Sequence, residues 1–226
     1  MTNFDIIRSA WSEENEKAKK SPWMQRVAAG NVDLRHYIGF LLETYHNAGM
    51  NPQLQAFATM FFKEKHREVV KKFYRHAISE IGHDLLAMND LAELGVGKNT
   101  VEKSKPLPTT SAFFGHFFYK IQTDNPLHYL GYLFHLEFSP TQDGPKYIQM
   151  LKAKGIPESA LTFLHEHATV DIAHNKLMES YINELVKTSE DLDVVIESVK
   201  CAVQLHTIML SHALENGEIL AANAAA

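Results

Sequence analysis

The sequence predicts an all-α, single-domain helical bundle. Apolar residues recur at helical spacing almost from end to end, and no stretch shows the period-2 alternation of a strand. The connections are short enough for successive helices to pack as antiparallel neighbours. At 226 residues, with 45% hydrophobic and 22% charged residues, the chain can bury one large core. The domain is expected over 1–220, with 221–226 as a frayed or disordered tail.

Each element has a local reason. Phe4 to Lys19 is amphipathic and stops at Ser21-Pro22, because a proline restricts the residue before it. Asn31 or Asp33 can cap a helix reaching about Gly49, with Tyr37, Phe40, Leu41 and Tyr45 at helical spacing. Asn51-Pro52 reads as an N-cap and first-turn pair. It opens a long helical region, bent at a point the sequence does not place, that ends at Leu94-Gly95. Residues 97–110, with Pro106 and Pro108, read as a loop, and 111–122 as a helix. Asn125-Pro126 opens a helix to Phe138. A turn at 139–144 and a short helix to Gly155 follow. Pro157-Glu158 starts a helix to about Val186, and Ser189-Glu190-Asp191 caps a last one to about Leu214.

Composition excludes several functions. The net charge of −5 and the lack of a basic stripe argue against a nucleic-acid partner. The cluster from Lys63 to Arg75 is interleaved with Glu64, Glu68 and apolar residues, as on a solvated helix face. A single cysteine, Cys201, allows neither a disulfide nor a Cys-based zinc site within the chain. No signal peptide is visible at Met1 to Asp5, and no apolar run is long enough to span a bilayer. A cytoplasmic, membrane-free protein is expected.

The 13 histidines carry more information. His167, Asp171 and His174 stand at i, i+4 and i+7, within roughly 60° of one another on a helix. Their stripe also carries Ala160, Phe163, Leu164, Met178, Tyr181 and Leu185, so it reads as core-facing. Burying two imidazoles and a carboxylate is costly unless each is hydrogen-bonded or coordinated. A matching Glu80-x-x-His83 pair lies in the long helical region, beside Phe73, Ala77 and Ala87. Two carboxylate-x-x-His pairs plus a lone carboxylate from each of two other helices make up a carboxylate-bridged di-iron site in a bundle. Glu137, on the face of Leu130, Leu133 and Phe134, is one candidate lone carboxylate, and Glu43 is a second. Iron suits this mixture of ligands, with manganese as the alternative. Two ferrous ions so held can bind and reduce O₂.

His167, one turn before Asp171, departs from the ferritin-like pattern. His-x3-Asp-x2-His on a late helix, Glu137 in Leu130 to Phe138, and Glu80-x-x-His83 in Ser79 to Gly95 resemble the haem-oxygenase-like di-iron oxidases. The resemblance covers roughly residues 30–215. It implies a haem-oxygenase-like, TenA-like bundle with Glu80, His83, Glu137, His167, Asp171 and His174 as ligands of two Fe ions. It further implies that O₂ is used to oxidise or cleave a small molecule such as an amino acid or fatty acid. Some members place the early carboxylate two turns before the histidine, where this chain has His76, so Glu80, His76 and Glu43 all stay open for that role. Helical folds of this kind often form homodimers, and the sequence marks no interface.

Other activities of the fold fit less well. A haem oxygenase needs a proximal histidine on its first helix, and none precedes His36. A TenA-type thiaminase needs a cysteine on a middle helix, whereas Cys201 is on the last. A metal-free, cofactor-biosynthesis or ligand-binding protein of the quinone-cofactor kind, built on His, Tyr and Arg, is the alternative. His66, His116, His128, His206 and His212 read as packed or surface residues, His165 and Glu166 as solvated, and His135 as at most a supporting residue. Phe113, Phe114, Phe117 and Phe118 read as core.

Overall fold

In the computed structural model, which describes residues 1–63 and 66–224, there are ten α-helices and no strand among the described residues. They are α1 (Asn3–Ala18), α2 (Pro22–Ala28), α3 (Leu34–Thr59), α4 (Arg67–Glu80), α5 (His83–Glu93), α6 (Lys98–Lys103), α7 (Pro108–Thr123), α8 (His128–Ala153), α9 (Thr162–Leu185) and α10 (Ser189–Ala224). A 3-10 turn, Glu158–Ala160, precedes α9. The all-α bundle expected from periodicity is the fold observed.

Several starts are written in side chains. Thr2 and Asp5 cap α1 reciprocally, and Asp33 with His36 does the same for α3. Asp90 caps α9 from a distance, accepting from the backbone N–H groups of Thr162 and Phe163 at 3.0 Å each. Glu43 serves α7 in the same way, accepting from Leu107 N at 3.0 Å and from the Thr110 hydroxyl.

The boundaries differ from the sequence reading where tertiary burial overrides a local signal. Asn51-Pro52 starts no helix, because α3 runs through it to Thr59. Residues Asn51, Pro52, Leu54, Gln55 and Ala58 are all buried, so continuing the helix outweighs the N–H that proline removes. The turn expected at 139–144 is likewise helical, and α8 carries Pro140 and Pro145 inside it. The loop expected at 97–110 holds α6, and α7 begins within it at Pro108, a favoured first-turn proline. The helix placed from Pro157 starts at Thr162, and the last helix runs past Leu214 to Ala224, taking in 221–224 of the expected tail. Residues 225–226 lie outside the described residues.

α10 is also long and apolar enough, by length and composition, to cross a membrane, which the search for apolar runs overlooked. In the fold it packs along α3, α8, α1 and α7. Its crossing with α3 is close. A Cβ on Gly39 would overlap the Ala213 carbonyl, and one on Gly217 the Arg35 carbonyl, so only glycine permits this approach.

The buried apolar residues form two clusters, and the long helices run from one to the other. α3 leaves Tyr37 and Leu41 in the first and Leu54 and Ala58 in the second. α9 goes from Phe163 and Leu164 to Met178 and Tyr181. α4 contributes Phe73 to one cluster and α5 contributes Ala87 and Leu91 to the other. Along α9 and the α4–α5 pair, the polar residues singled out by the sequence fall between the two.

Candidate metal centre

The Glu80-x-x-His83 pair does not share one helix. α4 ends at Glu80, Ile81 is extended, Gly82 sits at φ +99°, and α5 begins at His83. The positive φ favours glycine at this joint. The break therefore locates the bend that the sequence left unplaced. Each of the two residues occupies a helix terminus, and their side chains still meet, with His83 Nδ1 3.2 Å from Glu80 Oε2.

Two donor groups converge here and share Glu80. One contains His76, Glu80, Glu137 and His174, all buried, from α4, α8 and α9. The other contains Glu80, His83 and His167. In the first, His76 Nε2 lies 3.1 Å from Glu137 Oε1 and 3.7 Å from Glu80 Oε1. His174 Nδ1 lies 2.9 Å from Glu137 Oε2, 3.4 Å from Asp171 Oδ1 and 3.6 Å from Glu80 Oε1. In the second, His83 Nδ1 faces His167 Nε2 at 3.1 Å. His167 Nδ1 donates to the Phe163 carbonyl at 2.8 Å, which fixes the tautomer and leaves Nε2 as the lone-pair nitrogen. The two oxygens of Glu80 are thus divided, Oε1 toward one group and Oε2 toward the other.

The electrostatics of these side chains follow from their burial together. Burial pushes the Asp171 carboxyl well above its ordinary value, with the Glu137 and Glu80 charges adding to the effect. For Glu137 burial acts the same way, but the facing ring nitrogens of His174 and His76 outweigh it and hold the group low. Burial would lower His174, yet its contacts with Asp171 and Glu137 raise it to about 10. His83 is raised by Glu80, and His167 is lowered by burial. Both Asp171 oxygens, Glu80 Oε1 and both His76 nitrogens are buried without a hydrogen-bond partner. His76 Nε2 is near two carboxylates yet aligned with neither. These unpartnered buried atoms, converging beside the His174–Glu137 and His83–His167 hydrogen bonds, fit a metal ion, and the imidazole–carboxylate donor set fits iron.

The sequence-derived residues divide as follows. The structure brings Glu80, His83, Glu137, His167 and His174 together, with Asp171 beside His174, and with them His76, which the sequence left open as an alternative. Glu43 is not among them: its carboxylate caps α7. His135 faces away, toward Trp11 and His206. Asn51, read from sequence as a cap, instead donates to Glu80 Oε2 at 3.3 Å and accepts from the Tyr132 hydroxyl at 2.9 Å. The sequence signal for that role was available, since an asparagine within a continuous apolar helical stripe must be paired.

A cavity of about 150 Å³ opens over the cluster, with Glu80, Glu137, His167 and Asp171 in its wall. The rest of the wall includes Phe40, Leu136, Phe163, Leu164, His206 and Leu210. A second, largely apolar cavity of about 100 Å³ shares Phe40, Tyr147, Leu164 and Leu210 with it.

The fold and this site define a helical bundle with a buried His/carboxylate cluster that could hold a metal, and the comparisons narrow the class. The profile of a family described as iron-containing redox enzyme matches residues 38–207, so the chain belongs to that family. Among solved structures, a domain of unknown function with a heme oxygenase-like fold from Shewanella denitrificans superposes with a TM-score of 0.87. It is 23% identical and covers 97% of this chain and 95% of its own. A TenA homologue from P. horikoshii gives 0.75 at 12% identity, covering 95% and 99%. Heme oxygenase-1 from the cyanobacterium Synechocystis, in complex with heme, gives 0.73 at 12% identity, covering 100% of each chain. These likenesses establish the haem-oxygenase- and TenA-like fold. No curated protein matches the chain.

Proposed function

We propose that this protein is an O₂-activating non-haem di-iron oxidase acting on a small molecule, amino-acid-like or fatty-acid-like. The observation that carries the reading is Glu80, whose two oxygens face two separate donor groups. His76, Glu137 and His174 would hold one ion and His83 and His167 the other, with Glu80 shared by the two donor groups and Asp171 beside His174 in the cavity wall. Two ferrous ions so held would supply the electrons for O₂ reduction. Manganese suits the same donors less well than iron in a site this rich in imidazole.

The chain's own residues would do the rest. Asn51, anchored by Tyr132, orients Glu80. The Phe163 carbonyl orients His167. Phe40, Leu136, Phe163, Leu164 and Leu210 exclude water from the cavity and offer an apolar wall to the substrate. Asp171, with its raised affinity for a proton and no hydrogen-bond partner, is placed to hold a proton at the cavity wall until a cation displaces it.

The metal-free alternative rests on the TenA neighbours, whose identity of 12% and 11% carries the fold alone. Cys201, the one thiol available to a nucleophilic mechanism, sits against His116 Nε2 at 3.1 Å and is absent from the cavity wall. Anaerobic loading with Fe(II) tests the two readings. About two irons per chain, with an optical transient on mixing with O₂, are expected from such a ligand set. A chain that binds no iron overturns the proposal.

A further inference from the structure

Beside the cluster lies a second histidine pair, buried at His135 and half-buried at His206, whose hydrogen bonds all run one way. Trp11 Nε1 on α1 donates to His135 Nδ1 on α8 at 3.1 Å. An indole nitrogen is only a donor, so His135 Nδ1 is an acceptor. An imidazolium has no lone pair at Nδ1, so this bond admits only neutral His135 with its proton on Nε2. That nitrogen lies 2.9 Å from His206 Nδ1 on α10 and donates to it. His206 therefore carries its own proton on Nε2. Among the described residues Nε2 meets no protein partner, and His206 lines the cavity over the cluster. Burial also pushes His206 down, to about 4, in keeping with a neutral ring.

We infer that His206 is the substrate-positioning donor of the cavity, its Nε2–H held in place by Trp11 and His135 to receive a carbonyl or carboxyl oxygen on a mostly apolar ligand. The inference rests on taking this cavity as the substrate site. The chain of bonds begins at a residue that can only donate, so its polarity cannot reverse. A solvated histidine would be free to switch tautomer, but His206 would not be. The wall sets Leu136, Leu164 and Leu210 against the polar residues of the cluster, and the unpaired N–H of His206 among them favours ligands that carry an acceptor. Trp11 is itself clamped by Phe134 and Phe138, with ring centroids at 6.3 and 5.9 Å, so the first donor is rigidly placed. Trp11 and His135 are positioning residues that act through His206.

The test uses the full-length protein without added metal and two probes of similar shape, cyclohexanone and cyclohexene. Nitrogen-15 imidazole spectra should show His206 as the Nε2–H tautomer, and Trp11→Phe should turn it into a mixture. Ligand-observed NMR should show His206→Phe weakening cyclohexanone roughly five- to tenfold, the worth of one neutral hydrogen bond, with cyclohexene changed less than about twofold. His206→Gln, which restores a donor, should recover most of the ketone affinity, and Trp11→Phe should cost about two- to threefold. An Nδ1–H tautomer in the wild-type protein overturns the inference. So does an equal response of the two probes to His206→Phe. Iron content measured on the same variants separates the two proposals. Wild-type iron with no ketone discrimination sinks the positioning role alone, and intact discrimination without iron binding sinks the di-iron reading alone.

Discussion

The protein buries two groups of histidines side by side, and they are built on opposite principles. In the Trp11–His135–His206 chain every shared nitrogen has one partner and the bonds point one way. In the cluster of His76, His83, His167 and His174 the nitrogens face one another or several carboxylates, and many lone pairs find no donor. The first arrangement pairs every nitrogen within it and leaves only the His206 Nε2–H at the cavity. The second is unfavourable as protein alone and becomes favourable around cations. A buried histidine is thus no sign of metal by itself; the sign is convergence of lone pairs without donors.

The largest effect is expected from Glu80→Ala. Because this residue serves both donor groups, iron measured by mass spectrometry should fall from about two per chain to well below one. Trp11→Phe, a change in the other histidine group, should leave iron content as in the wild-type protein. Iron lost equally in both variants would erase the distinction between the two regions.

Asn51→Ala removes the group that links Glu80 to the Tyr132 hydroxyl, and it should weaken Fe(II) binding roughly 10- to 100-fold, as supporting residues of metal ligands do. An Fe(II) titration checks it, and unchanged affinity would show that Glu80 is oriented without Asn51.

Glu43→Gln sharpens the comparison between two buried glutamates. Glu43 accepts from the start of α7, so its loss should cost about 1–2 kcal/mol in denaturant unfolding and leave iron content unchanged. A fall in iron would return Glu43 to the ligand set.

The gentlest effect is on pH dependence without metal. His174 is raised from 6.5 to about 10, so the folded state holds an extra proton between those values and stability falls as pH rises through them. Asp171, also raised, acts in the same sense above its ordinary range. His206, lowered to about 4, adds no slope above pH 7 because it is neutral in both states there. Melting temperature of the metal-free protein should therefore drop steadily from about pH 7 to 10, while the iron-loaded protein should stay flatter, with protons released on binding. A metal-free profile as flat as the loaded one would break the contrast.

The sequence by itself determined the all-α fold and the starts of α1, α3 and α10, and it named the residues of the converged donor groups, His76 among them as an alternative, because periodicity and caps are local and the His and carboxylate spacings lie within single stretches. Tertiary structure decided the rest. α3 and α8 run through prolines because burial along their length outweighs a local stop signal. Glu80 and His83 meet across a joint at Gly82 rather than along one helix, a backbone choice that depends on what packs on either side. Glu43 and Glu80 look alike as carboxylates on apolar stripes, yet one meets backbone N–H groups and the other meets imidazoles. His206 reads as an ordinary packed histidine until α1, α8 and α10 come together, since the polarity of its bonds begins 195 residues away at Trp11. Helices are set by neighbours in sequence; which lone pairs converge, and which find a donor, is set by neighbours in space.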